Sequence, residues 1–323
     1  SNITPTASLF ASTTTQIPLT VTTNTLASCR YSTSANQNYY TMTLFTDTVE
    51  KLAHSHTVAV SSGIDYNFYI KCADQDDKIS SEHQVSFQVE AVLAPGDIFV
   101  DFSSNQLPNT FQTLNANQFN QNISDGHLKI SLNNCNGEEC VWYQTSSGPM
   151  VYTTFTGNFK MTTLVKARDS LNTSLSLPLI QNAFLFTGLI ARDPASTGGQ
   201  ENYIFSVIGL RGQSQYTNEL KSTVNGSSAV WERSTFLRTL PVLDAEIRIC
   251  RIGQLFQFYV KENGVWVKNT READRSLDNS TPLPNTLQLG MIVYDYYSED
   301  RIQGEFDYFS VKSISTASDC LVD

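Results

Sequence analysis

Two pairs of carboxylates sit at alternate positions in otherwise apolar runs, Glu305-Phe-Asp307 and Asp244-Ala-Glu246. On a β-strand, residues i and i+2 share a face, and two carboxyl groups on one face are the minimum equipment for acid–base cleavage of a glycosidic bond. Neither pair has a third acid at the next alternate position. Asp307 is followed by Tyr308, Phe309 and Ser310, and Asp244-Ala-Glu246 stands at a strand entrance, the ordinary place for solvated acids. The four histidines are His54, His56, His83 and His127, and no Gly-x-Ser-x-Gly occurs, so a histidine-assisted serine nucleophile has no support. His54 and His56 share a strand face as a weak metal pair. Further ligands are missing, and exposed strand histidines are the plainer reading.

A second set of residues suits recognition. Trp142, Tyr143, Tyr152, Trp231, Tyr294, Tyr296 and Tyr297 lie at expected loops and strand ends. Aromatic faces pack on the apolar C–H side of sugar rings, while amides and charged forks hold hydroxyls. Arg192 closes the run Gly188-Leu-Ile-Ala-Arg192 and is hard to bury without a partner, which makes it the preferred contact on a concave face. Asp295, Glu299 and Asp300 interrupt the tyrosine cluster, so 294–301 reads as an exposed loop able to reach a ligand.

These residues must be positioned by strands. Ala245 to Val260 reads as two alternating strands joined at Gly253, followed by a turn at Glu262-Asn-Gly-Val-Trp266 that leaves the tryptophan exposed. Leu287 to Val293 and Gly304 to Val311 add further strands. Upstream, short alternating runs at 16–22, 39–45, 56–60, 66–72 and 83–89 imply a small β-sandwich. Ala91 to Gly96 breaks the alternation and is the candidate boundary, giving domains 1–94 and 95–323. Asp193 to Gln200 and Tyr216 to Ser228 read as long polar loops. The predicted class is all-β, with very little helix.

The chain has 323 residues, enough for about two domains at roughly 150 residues each. A net charge of −10 excludes a nucleic-acid footprint and disfavours polyanions and anionic membranes. No apolar run approaches the roughly 18 residues of a membrane span, so membrane insertion is not expected. Residue 1 does not begin a signal peptide, and the chain reads as a mature, soluble piece. Six cysteines, with no C-x-x-C pair and no histidine nearby, favour disulfides over metal and place the protein in an oxidising, extracellular setting. Along the chain they fall as Cys29 and Cys72, Cys135 and Cys140, and Cys250 and Cys320, although the count leaves the connectivity open.

The N-terminal stretch, with Cys29-Arg-Tyr31, His54-Ser55 and Tyr66-Asn-Phe-Tyr-Ile-Lys-Cys72, resembles the fibronectin type III-like modules of bacterial secreted proteins. That resemblance implies an immunoglobulin-type sandwich in which Cys29 and Cys72 lie on neighbouring strands and bond. From Asp97-Ile-Phe-Val-Asp-Phe102 through Asp125-Gly-His127, Ser147-Gly-Pro149, Gly157-Asn-Phe159 and the C-terminal strands, the order of short motifs resembles a concanavalin A-like (lectin/glucanase) jelly roll. Glucanases of that family carry Glu-x-Asp-x-Glu on one strand. Glu305-Phe-Asp307 departs from it by lacking the third acid, which puts catalysis in doubt. The family also implies a structural calcium ion, held here by Asp307 of the last strand and carbonyls of the domain's first strand, with Asp97 or Asp101 beside it. The expectation is thus a secreted protein that binds glycans or an extracellular surface through Arg192, Trp142, Trp231, Tyr294 and Tyr296 without cleaving them. The alternatives are a glycosidase or lyase with an atypical centre, marked by a close carboxylate pair in the groove, or a protein-binding effector.

Overall fold

The computed structural model describes the chain apart from residues 1, 12–13, 47–50, 90–95, 134, 136–139, 145–146, 198, 213–214, 234–242, 278–280 and 297–299. It is all-β, with no α-helix among the described residues, and it divides into two compact units, Ser1–Val92 and Leu93–Asp323. Most of the expected boundary at Ala91 to Gly96 lies outside the described residues.

In the first unit one long strand, Gln16–Ser32, pairs through its first half with Lys51–Ala59 and through its second with Asp65–Asp74. Alternate residues Ile17, Leu19 and Val21 meet Phe68, Val85 and Phe87 in one core. Cys29 and Cys72 are register partners on adjacent strands, with Cα atoms 4.0 Å apart, and form a disulfide. The run 39–45 is not a continuous strand. The Asn38 side chain accepts from the Tyr40 N–H at 3.0 Å and caps a short 3-10 turn, Tyr39–Thr41, leaving Thr43–Leu44 as the strand. Neither His54 nor His56 is a freely exposed strand histidine. His54 is 2% exposed beside Thr23, and His56 is half-buried against Tyr31, whose hydroxyl lies 3.1 Å from Nε2.

The large unit is a two-sheet jelly-roll sandwich. A front sheet runs, in spatial order, Ser227–Arg233, Gln215–Val224, Tyr203–Arg211, Phe184–Arg192, Thr286–Tyr296, Met150–Thr156 and Gln112–Leu114. A back sheet is centred on Phe159–Asp169, flanked on one side by Leu243–Ile252, Leu255–Glu262 and Val265–Asp274. On its other side lie Gln303–Phe306 and Phe309–Ser313. Alternation sorts each front strand: Leu185, Leu189, Ile204, Ile208, Leu289 and Met291 point into the inter-sheet core, meeting Phe159, Met161, Ile247 and Phe258 of the back sheet. The opposite parity, Phe186, Ile190, Tyr203, Phe205, Ile292 and Tyr294, is also buried and forms a second cluster under Trp142. A sheet covered on both faces reads as near-continuous apolar sequence, as in Phe184–Arg192.

Tyr216 to Ser228 is not a loop but a hairpin, Gln215–Val224 paired with Ser227–Arg233 across Asn225-Gly226. Asn225 and Gly226 have φ values of 47° and 78°, the left-handed pair that a tight type I′ turn requires. Trp266 is 5% exposed, with the Arg248 guanidinium 3.7 Å from its ring centre and its N–H donated to Asp323. Residues 294–296 are the end of a strand, with Tyr294 and Asp295 buried, whereas Tyr297 and Glu299 lie outside the described residues. Cys135–Cys140 and Cys250–Cys320 complete the disulfides, the latter tying the segment Ala317–Leu321 onto the outer side of the back sheet.

Candidate functional site

The outer side of the front sheet carries a cavity of about 760 Å³. Its floor is the outward parity of four adjacent strands: Tyr294 and Tyr296, Phe184, Arg211, and Glu219 with Lys221. Val141, Tyr143, Gln144 and Ser147 form one wall, on which Tyr143 is 53% exposed. Ser228 and Val230, on the next strand, extend the floor to that wall, where the Gln144 N–H donates to the Ser228 hydroxyl at 3.3 Å. Trp142 anchors the wall, its ring edge-on to Tyr203 at 5.5 Å and its N–H donated to the Pro149 carbonyl at 3.1 Å. Gly148 makes this possible, since a Cβ there would stand 2.3 Å from the indole.

Lys221 is the hub. Its ammonium donates to the Trp142 carbonyl at 2.7 Å, lies 3.5 Å from Glu219 Oε1, and sits 4.4 Å, 5.0 Å and 5.6 Å from the ring centres of Phe205, Tyr143 and Tyr294. Burial pushes its pKa down to about 8, against the opposing pull of Glu219. Tyr294 donates its hydroxyl to the same Glu219 oxygen at 3.1 Å, and burial holds that phenol well above its ordinary value. Glu232 stands directly opposite Glu219 in the register and forms an ion pair with Arg211 at the rim. Each groove carboxylate therefore has a cation beside it.

The residues expected at a ligand site divide. Tyr294 and Tyr296 line the cavity, the first as buried floor and the second half-buried. Trp142 is fully buried and supports the wall from beneath. Arg192 is 5% exposed and not free to meet a ligand: it donates to Gln288 Oε1 and to the Ser196 carbonyl, both at 2.7 Å, and pairs with Glu201 at 3.5 Å. Trp231 packs on the inter-sheet core, because Ser228, Val230 and Glu232 take the groove-facing parity of its strand. Tyr152 is buried and donates to Gln112 at 2.9 Å. Glu219 and Lys221 were missed because their strand was read as a loop. The alternation of Thr217, Glu219 and Lys221 with Leu220, ending at Asn225-Gly226, was the available signal.

The paired carboxylates of the sequence lie on the back sheet. Asp244 and Glu305 flank Arg168 at 2.7 Å and 3.7 Å, and Glu246 accepts from Tyr308 at 2.7 Å and Lys261 at 3.3 Å. Asp307 falls between two strands, 2.8 Å from His127 Nε2 and 3.7 Å from Lys166 Nζ. Asp101 Oδ1 accepts from the backbone and hydroxyl of Ser103. Among the described residues no group of three or more His, Cys, Asp or Glu gathers to hold a metal. Calcium wants a shell of oxygen ligands, and an aspartate facing a lysine and an imidazole does not fit it.

No protein-family model and no curated protein matches the sequence. Among solved structures, the chain is similar to the GH43 BlXynB protein from Bacillus licheniformis, with 11% identity, 79% of this chain and 52% of that one covered, and a TM-score of 0.49. It thus spans about half the length of that protein. A Lotus tetragonolobus seed lectin aligns at 10% identity over 68% of this chain and 98% of that one, TM-score 0.39. A prokaryotic β-1,3-1,4-glucanase (lichenase) derived from a mouse hindgut metagenome aligns at 11% over 68% and 99%, TM-score 0.41.

Proposed function

We propose that the protein binds a neutral glycan, without cleaving it, in the front-sheet groove of a concanavalin A-like large unit. The observation that carries this reading is the groove's make-up: exposed and half-buried aromatic faces of Tyr143 and Tyr296 beside a preorganised Glu219, Lys221 and Arg211. Rings offer an apolar platform to a pyranose, and fixed charged groups orient its hydroxyls. The two acids and two bases of the groove cancel, which suits an uncharged ligand.

Glu219 and Glu232 are the close pair that would mark a hydrolase. Glycosidases of either stereochemistry need one carboxyl that keeps its proton, which a dry, cation-free pocket supplies. Here Lys221 and Arg211 stand against the two carboxylates, which supports binding over hydrolysis. The small unit serves as a fibronectin type III-like spacer in this reading, and the three disulfides support a secreted setting. A glycan array read beside a reducing-sugar release assay tests it. Retention of a neutral glycan with no release is the expected result, and release of reducing ends moves the protein to the hydrolases.

A further inference from the structure

The outer face of the back sheet gathers positive charge on an acidic chain. Lys160, Arg248, Lys261 and Lys312 converge on one cleft of about 200 Å³, rimmed by Phe99 and Tyr308. One carboxylate already sits in it: Asp323 accepts from Trp266 at 2.6 Å and from Lys261 at 3.0 Å, and lies 3.4 Å from Arg248. Glu246 takes the other side of Lys261. Two acids thus answer Arg248 and Lys261.

Among the described residues neither Lys160 nor Lys312 is in an ion pair with a carboxylate; Asp323 and Asp319 act on Lys160 only through their field. The two lysines are directly opposite one another in the register of Phe159–Asp169 and Phe309–Ser313, the position where like charges destabilise a sheet. Lys160 is 6% exposed and donates to two carbonyls, Asp319 O at 3.1 Å and Val322 O at 2.7 Å. Asp319, the acid near it, spends its carboxylate on the N–H groups of Ser315 and Thr316. Among the described residues Lys312 has no hydrogen-bond or ion-pair partner. Burial, then the charges of Arg248 and Lys312, pull the Lys160 pKa down to about 8 against the opposing pull of Asp323 and Asp319. Beside the pair, Phe99 is half exposed, its ring 6.1 Å from that of Tyr308.

We propose that this cleft is a second glycan site, separate from the front-sheet groove, that takes a carboxylate-bearing sugar residue. Its carboxylate bridges Lys160 and Lys312, and the apolar face of its ring packs on Phe99. The anion relieves the cross-strand repulsion, and the aromatic rim distinguishes a sugar acid from a bare anion. The site stands apart from the function proposed for the groove, so either can fail alone.

The test is a calorimetric titration of the whole chain with an oligogalacturonate, with its methyl ester, and with inorganic sulfate. Saturable binding of the oligogalacturonate is expected. Binding should weaken at least about tenfold with the methyl ester and with Lys312→Gln, and should weaken with Phe99→Ala. Lys312 and Phe99 lie at the surface, so these variants keep the test decisive where Lys160→Gln disturbs the fold. Absent binding, equal binding of the ester, an unchanged Lys312→Gln variant, or sulfate binding as tightly as the sugar acid would each overturn the proposal.

Discussion

Lys221 Nζ lies 3.5 Å from Glu219 Oε1, two residues earlier on the same strand, and both point out of the front sheet rather than into its core. A lysine and a glutamate buried at 1% and 3% exposure amid aromatic rings are costly to desolvate, and each hydrogen bond to Trp142 and Tyr294 offsets part of that cost.

The same burial makes stability depend on pH. Folded Lys221 releases its proton near pH 8, whereas in the unfolded chain it keeps the ordinary 10.5, and Lys160 behaves alike. Between those values the unfolded chain binds more protons, so these two groups make stability rise with pH. Above about pH 10 the raised phenols of Tyr294 and Tyr203 act in the opposite sense. Denaturant midpoints should climb between about pH 8 and pH 10, with a smaller slope in Lys221→Met. An identical slope in that variant would show that Lys221 is charged throughout.

Arg192→Ala should fail as a binding variant and succeed as an unfolding one. It leaves Glu201, 1% exposed, without its cation, a loss of about 3–5 kcal/mol for a broken buried pair. Thermal melting of purified Arg192→Ala checks this, with a large drop expected.

Opening Cys250–Cys320 should cost more than opening Cys135–Cys140. Their sequence separations are 70 and 5, which in the chain-entropy view correspond to about 4 and about 2 kcal/mol. Double serine replacements at each bridge, compared by denaturant unfolding, give the order.

Chelation should leave the melting temperature where it is. Asp307 is occupied by His127 and Lys166, and a native-state ligand would otherwise raise the transition with ion excess. Melting in millimolar calcium and in chelator should coincide, and a shift would restore the metal.

The fold was legible where one face of a strand meets water and the other the core, as at Gln16, Ile17, Leu19 and Val21, or where a turn announces itself, as at Gly253. Residues lining the groove were legible where an aromatic stood near a strand end, as Tyr294 and Tyr296 do. The strand of Thr217, Glu219 and Lys221 was not legible. A polar strand and a polar loop have similar composition, and the local signs that distinguish them, the alternation with Leu220 and the turn at Asn225-Gly226, are faint beside the pairing with Tyr203–Arg211, a separate run of the chain. Arg192 misled for the converse reason: its partners Gln288 and Glu201 come from other strands and loops, so its burial could not be read locally.

Glycan binding is placed in the groove, and Tyr143 is its most accessible ring. The direct measurement is calorimetric titration of parent protein and Tyr143→Ala with the neutral oligosaccharide that ranks highest on the array. Saturable binding by the parent is expected, weakened at least about tenfold in Tyr143→Ala, with both proteins melting alike. No binding of any neutral glycan, or equal affinity in the variant, would contradict it.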